Sequence, residues 1–529
     1  MHRVDKLFIV FIIFYSLFII NRVDADYLAA DEGAHGMTAV FYNKLISNFL
    51  SDPVGPSVLY DYVKAYYVRY PKFSFIYGPI YPVTGALLFF FLPTTQFVLK
   101  LLTVFFGFIA LLFSYKAFSN WFSKDVSLLA VVLLGTAPFI VSLSTSVLLE
   151  IPMLAFFMIS VYFFTKSFNS LNKRDFVLTG VFMAVSVMTK EISLLFVFIL
   201  FVIYLYNYKK ISVKNIFVVF ASMMVTALLY IGLLYFSGGL ESILKYPLRQ
   251  AWYSVNDNDP QFYELAGWTY FFSVLTTNFS PVFLVLLVLS FFMRDDSDNG
   301  KRVLFFVLMS YVILSLLNDK SYTRMVSVAP FMCLLVSSFV NHFYAGRQRL
   351  PLLFFIVLAV VIQLPLVPNN YDVPMKAVAL DLFNNCPNCT VLVASEIGNV
   401  YSSYLMFESL LIDSNASMRF LRPTVFNSLD ASAVVNSELV NRVVVIGDLD
   451  FIKSNPETSS YAHEVEFIMT RYTLVKSYDS DFVGKIFVFD TGITGFKEPP
   501  YCFTALAIGS EFCSDYRYPT DVFLNNNGL

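Results

Sequence analysis

The sequence predicts an α-helical polytopic membrane protein that carries a C-terminal α/β domain outside the membrane. Three observations carry this expectation. Hydrophobic residues fill 57% of the 529 positions and charged residues only 14%, against roughly 45–50% and about 25% in soluble domains. Residues 1–367 form a succession of apolar runs whose connections are basic at every second turn. Residues 368–529 change to short apolar stretches between polar ones. A mean hydropathy of +0.66, with 59 Phe and 33 Tyr, excludes a soluble enzyme, a nucleic-acid binder and a disordered chain.

About eleven runs have the composition of membrane spans, near 7–23, 97–118, 126–142, 151–168, 176–190, 192–206, 216–236, 268–292, 303–317, 326–344 and 351–367. A straight span needs about 20 residues, and several runs are shorter. Basic residues set the register. With a cytoplasmic N-terminus, the inner segments hold Arg3 and Lys6, Lys116 and Lys124, Lys166, Lys173 and Arg174, Lys209, Lys210 and Lys214, Arg294, Lys301 and Arg302, and Arg347 and Arg349. Every inner segment is then positive, as membrane insertion favours. The run Pro79–Pro93, interrupted by Pro82, would invert this order if it crossed. It is therefore read as a helix lying in or dipping into the outer interface. The first run follows Arg3 and Lys6 and also fits a signal peptide, but Asn21-Arg22-Val23-Asp24 makes a poor cleavage site, so its retention is expected.

The regions facing outward are then a loop over 24–96, a second over 237–267, short turns and residues 368–529. In the last segment Tyr371–Asn385 and Val400–Leu410 read as helices, and Thr390–Ala394, Arg442–Gly447 and Lys485–Asp490 as buried strands. Helices alternating with such strands predict a small α/β domain. It has no Gly-x-Gly-x-x-Gly turn, so nothing in it signals a nucleotide.

Ionisable groups near the outer face are the candidate functional residues, because charge at membrane depth is costly. The first outer loop carries Asp24, Asp26 and Asp31-Glu32-Gly33-Ala34-His35. On a helix Asp31 and His35 share a face, with Glu32 turned about 100° away. Taken alone, the acidic pair also fits an N-terminal helix cap. Arg69 and Lys72 stand beside the turn Tyr77-Gly78-Pro79, where they can meet a phosphate or lipid headgroups. Glu150 precedes Ile151-Pro152 at the start of a span, Lys190-Glu191 separates two short runs, and Lys320, Tyr322 and Arg324 fall in the last outer turn. All lie on one side of the membrane.

This order of features resembles the GT-C membrane glycosyltransferases, in particular the branch of the protein O-mannosyltransferases and the lipid A aminoarabinose transferases. The likeness rests on Asp31-Glu32 after the first span, Tyr77-Gly-Pro-Ile-Tyr-Pro82, Glu150-Ile-Pro152, Thr189-Lys190 and Lys320…Arg324…Pro330. It covers roughly residues 1–345. Tyr77-Gly78-Pro79 stands where the family usually has a His-Pro-Pro-like step. The Trp-Trp-Asp signature of oligosaccharyltransferases is absent, with Trp252 and Trp268 isolated, which points to transfer of one sugar rather than a whole glycan.

The resemblance implies a polyprenyl- or dolichyl-phosphate sugar as donor, membrane lipids as surroundings, and a protein, glycan or lipid hydroxyl as acceptor, with inversion at the sugar. A glycosidase needs two carboxylates because its alkoxide must be protonated as it leaves. A lipid phosphate already leaves well, so one base and a set of cations suffice. Asp31 is assigned as base, with Glu32 supporting it or placing the acceptor. Arg69, Lys72, Lys190, Lys320 and Arg324 are assigned to the donor phosphate, and Glu150, Tyr77 and Tyr322 to acceptor positioning. His35 is the candidate ligand should a divalent metal bind; no cofactor is otherwise implied.

Two other readings stay open. A lipid-linked substrate transporter or flippase would carry charges at midplane and paired broken helices; a GT-C-like chain without activity would serve as a scaffold. Asn388-Cys-Thr390 and Asn415-Ala-Ser417 are outward-facing sequons, and Asn278-Phe-Ser280 is a third at a span. Cys386-Pro-Asn-Cys389 has redox-motif spacing, yet a structural disulfide or free thiols fit its outward position better. Cys502 and Cys513 are candidates for a second bridge, and neither pairing follows from the sequence.

Overall fold

A computed structural model describes residues 3–23, 30–51, 53, 78–207, 211–236, 263–292, 297–317, 321–344, 374–387, 389–395, 405, 407–409, 411–412, 419–421, 441–446, 468–480, 484–493, 502–504 and 511–513. The span near 351–367 and most of the loop 237–267 lie outside them.

The helices follow the apolar runs. They are α1 (Arg3–Ile20), α2 (Ala30–Ser51), α3 (Ile80–Leu88), α4 (Gln96–Ser119), α5 (Lys124–Thr136), α6 (Pro138–Ser144), α7 (Glu150–Ser170), α8 (Lys173–Thr189), α9 (Ser193–Tyr206), α10 (Val213–Phe236), α11 (Leu265–Asn278), α12 (Pro281–Phe292), α13 (Asp298–Leu316) and α14 (Ala329–Tyr344). Four of them (α4, α7, α10 and α13) are long and apolar enough to cross a membrane, and α5 with α6 makes a fifth if that bent pair is one span. Helices α9, α12 and residues 329–342 of α14 are apolar but shorter. The nine-residue α3 is far too short to cross.

Local chemistry sets the ends. Thr95, Ser123, Asn172 and Ser297 cap α4, α5, α8 and α13 by accepting from backbone N–H groups, which satisfies donors that a helix start leaves open. The runs 126–142 and 268–292 each have the composition of a single span, and the structure divides both. Pro138 stops α5 and α6 leaves at 66°, because its ring removes a helical N–H and clashes with the preceding turn. Phe279-Ser280 separates α11 from α12, where the Ser280 hydroxyl accepts from Phe283 N at 3.1 Å and Pro281 occupies the first turn.

Helix α7 is the centre of the bundle and α10 its rim: 78% of the α7 window is buried against 17% for α10. Rings from four helices lock that centre, with Phe306 of α13 4.1 Å from Phe331 of α14 and Phe157 of α7 6.2 Å from both Phe196 and Phe306. On the rim, Phe217, Val225, Leu228 and Leu229 are exposed, as lipid contact allows. Gly180 brings α8 against α10; a Cβ there would lie 2.1 Å from Ser222 Oγ and 2.2 Å from the Val219 carbonyl.

The C-terminal part is an α/β sheet, as expected. Its five strands, β1 (Thr390–Ser395), β2 (Arg419–Leu421), β3 (Arg442–Ile446), β4 (Thr473–Ser480) and β5 (Gly484–Asp490), run in the order β2-β1-β3-β5-β4. The β1 pairings with β2 and β3 are parallel and those of β5 are antiparallel. Helix α15 (Met375–Asn385) packs against β4 through the Lys476–Asp381 pair at 2.9 Å. Val443, Val444, Val445 and Ile446 are all buried, the mark of a central strand covered on both faces. Strands β2 and β4 are not among those expected from the sequence. Strand β4 is an edge with Leu474 and Val475 exposed and an irregular register at Leu474/Lys476, so it lacks the apolar run that revealed β3. Cys386 and Cys389 are free thiols. A separate ribbon of β6 (Cys502–Thr504) and β7 (Glu511–Cys513) sets Cys502 opposite Cys513 in register.

Candidate functional site

Of the polar groups expected at the outer face, those whose side chains are described converge at one end of the bundle. Helix α2 supplies Glu32 and His35, both buried. Glu32 Oε1 accepts from the backbone N–H of Val147 at 2.5 Å, which ties α2 to the turn that leads into α7. At the start of α7 stands Glu150, where the helix dipole favours an anion. Lys190 caps the C-terminal end of α8, where the dipole favours a cation.

These two ends meet. Lys190 Nζ lies 2.5 Å from Glu150 Oε1, with side chains 18% and 5% exposed. The other carboxylate oxygen, Glu150 Oε2, is buried with no hydrogen-bond partner among the described residues. Serines hold the pair's frame: Ser186 Oγ donates to the Met153 carbonyl at 3.2 Å and lies 2.6 Å from Ser193 Oγ, joining α7, α8 and α9. Gly78 presses on the backbone just before Lys190. A Cβ at Gly78 would fall 1.1 Å from the Met188 carbonyl oxygen, so the Gly78-Pro79 turn requires glycine.

A short 3-10 turn, η1 (Tyr322–Ser327), packs beside α7 and closes the same end. Burial raises the Tyr322 phenol, and the fields of Glu150 and Glu32 raise it further. Burial also raises the Glu191 carboxyl, with Lys190 and Arg324 acting against that shift. Burial pushes the His35 imidazole down to about 3; Lys190 adds to the effect and Glu150 opposes it. His35 is therefore a neutral imidazole at ordinary pH.

Glu32, His35, Glu150, Lys190, Tyr322 and Arg324 thus occupy one electrostatic neighbourhood. Asp31 lies in the first turn of α2, and only its backbone is described. Arg69, Lys72, Tyr77 and Lys320 lie outside the described residues. No group of three or more His, Cys, Asp and Glu residues suited to a metal occurs among the described residues. The sequence reading did not single out Lys100, which is buried in the first turns of α4; a lysine inside an apolar run was the available signal. Tyr81, which belongs to the Tyr77–Pro82 stretch but has no role assigned from the sequence, donates its hydroxyl to the Leu99 carbonyl at 2.9 Å and lies 2.9 Å from Thr103 Oγ1. Tyrosine is common at membrane interfaces, which hid this contact.

Comparison with known proteins places this arrangement. Residues 79–236 match the family model of dolichyl-phosphate-mannose-protein mannosyltransferase, a segment that holds Glu150 and Lys190. No curated protein matches the chain by sequence. Among solved structures the chain is similar to ArnT from Cupriavidus metallidurans bound to undecaprenyl phosphate, at 12% identity and a TM-score of 0.54, covering 92% of this chain and 99% of that one. It is also similar to an Archaeoglobus fulgidus oligosaccharyltransferase tethered to an acceptor peptide, at 10% identity and a TM-score of 0.56, covering 97% and 74%. The fold is that of these two structures, and the resemblance drawn from the sequence is borne out.

Proposed function

We propose that this protein is a membrane glycosyltransferase that moves a single sugar from a polyprenyl- or dolichyl-phosphate donor to an acceptor hydroxyl at the outer membrane face. The observation that carries the reading is the meeting of Glu32, Glu150, Lys190 and Tyr322 at one end of the bundle, on a GT-C fold. Four separately encoded elements converge there, and a fold alone would not require it. That the ArnT relative was solved with undecaprenyl phosphate supports a lipid phosphate as the donor's leaving half.

The chemistry balances with these residues. Asp31 takes the proton of the acceptor hydroxyl as its oxygen attacks the anomeric carbon. The bond from that carbon to the phosphate oxygen breaks, and its electron pair leaves on the lipid phosphate. Attack opposite the leaving group inverts the anomeric centre. Glu32, held by Val147, fixes the depth of the α2 turn on which Asp31 sits. Lys190, paired with Glu150 Oε1, brings a cation to the place where the donor phosphate is read to sit. Glu150 Oε2 faces the site as an acceptor for a substrate hydroxyl. Arg69, Lys72, Lys320 and Arg324 complete the cationic surround, and Tyr77 and Tyr322 border the acceptor.

In this reading the bundle spans the membrane with a cytoplasmic N-terminus, residues 1–367 form the transferase domain and residues 368–529 lie outside. The test is turnover of purified protein in liposomes given a panel of radiolabelled polyprenyl-phosphate sugars, with the anomer of the product read by NMR. Transfer of one sugar with inversion is expected. Binding of a donor without turnover by any member of the panel would overturn the proposal.

A further inference from the structure

Among the described residues, the C-terminal domain meets the helix bundle at the face of α2 that carries Glu32 and at the first residue of α4. Residues 405, 407–409 and 411–412 are helical, and within them Leu405, Phe407, Glu408 and Ser409 are all buried. Gly36 follows Glu32 by one helical turn, so the two share a face. A Cβ at Gly36 would lie 2.7, 2.8 and 2.9 Å from three atoms of the Phe407 ring. Glycine inside a helix costs roughly 1 kcal/mol relative to alanine, and here it lets an aromatic ring rest on the backbone of α2. The neighbouring Glu408 Oε1 accepts from Gln96 Nε2, at the first residue of α4. A buried carboxylate is costly unless it is partnered, so this contact has one register.

We propose that Phe407 and Glu408 are positioning residues: they clamp the first turns of α2 against α4 and thereby hold the α2 carboxylates at the depth that transfer requires. The inference rests on the reading of α2 as the carrier of the base. Its physical basis is that a shift of about 1 Å at a reacting group can cost about 10²-fold in rate. The clamp acts through α2, and neither residue touches substrate.

The experiment uses the full chain in lipid nanodiscs. Phe407→Ala is expected to speed backbone hydrogen exchange at least ~10-fold across residues 30–41, while residues 150–165 exchange as before. Turnover of the polyprenyl-phosphate sugar is expected to fall ~10-fold or more in kcat with donor KM unchanged. Phe407→Leu should recover most of both readouts. Gly36→Ala, which pushes the ring away from the other side, should reproduce Phe407→Ala. Glu408→Gln keeps an acceptor oxygen for Gln96 and should behave as wild type, whereas Glu408→Ala should not. Unchanged exchange over 30–41 in Phe407→Ala, or a rise in KM at constant kcat, would overturn the proposal. Faster exchange in a protein whose wild type turns over no donor would support the clamp and instead defeat the transferase reading.

Discussion

The two ends of the bundle are built from the same residue types and use them differently. At the end opposite Glu150, Asp5 accepts from Tyr115 at 2.8 Å and from Lys124 at 2.8 and 2.9 Å. Asp175 takes Lys166 at 3.1 Å and Ser170 at 2.6 Å. The Arg302 guanidinium donates to Asn299 and Asn207 at 2.7 and 2.8 Å and lies 4.7 Å from the centre of the Phe168 ring. Asp125 Oδ1 and Trp121 Nε1 are left over there, but these three charges each tie at least two helices together. At the Glu150 end the central carboxylate keeps one buried oxygen unpartnered, and the imidazole beside it is neutral. Both ends thus keep a buried carboxylate oxygen over, and they differ in what gathers round it: ion pairs between helices at one end, and at the other a Lys–Glu pair, a second carboxylate and a neutral imidazole drawn together from separate elements.

The largest expected effect that would sharpen this contrast is Glu150→Gln, which should lower sugar transfer by about 10²-fold, the usual scale for removing one preorganised polar group, with little change in thermal stability. An equal loss of stability and activity would place Glu150 with the ion pairs of the opposite end. Lys190→Met leaves the Glu150 carboxylate buried and alone, and should cost about 3–5 kcal/mol, as stranded buried charges do; denaturation in detergent would show it. Gly180→Ala forces a Cβ into Ser222 and Val219 and should cost about 1–3 kcal/mol by overpacking, with turnover per folded molecule unchanged.

Acid gives a smaller signal of the same contrast. The His35 pKa falls from 6.5 in the unfolded chain to about 3 in the folded one, so between those values only the unfolded chain binds the proton. The neutral imidazole's contribution is complete above pH 6.5 and drains away as pH falls toward 3. His35→Asn should flatten the loss of Tm between about pH 7 and about pH 4. The smallest effect is expected at Asp5–Lys124, whose side chains are 25% and 43% exposed; Lys124→Met should cost at most ~1 kcal/mol because solvent screens the pair.

Much of this molecule was legible in its residues. The fold class followed from apolar runs, and β3 from four consecutive buried aliphatic residues. The breaks at Pro138 and Ser280-Pro281 were visible as prolines, yet hydropathy averages across them and joined the pieces. Strand β4 was hidden because an edge strand with exposed Leu474 and Val475 need not keep an apolar face. At the site, Glu150 and Lys190 could each be singled out by position, but 40 residues separate them, and only the antiparallel packing of α7 and α8 makes them a pair. The Phe407–Gly36 contact was not legible at all. It joins two segments through a glycine, and a glycine inside a helix gives no sign of what rests on it.

The central claim is that the Glu150 end transfers sugar while the opposite end only holds helices together. The most direct measurement compares Asp31→Asn with Asp175→Asn in liposomes supplied with a radiolabelled polyprenyl-phosphate sugar. The account predicts that Asp31→Asn abolishes sugar transfer while the donor still binds, and that Asp175→Asn keeps wild-type turnover per folded molecule. Equal turnover in the two variants would contradict it.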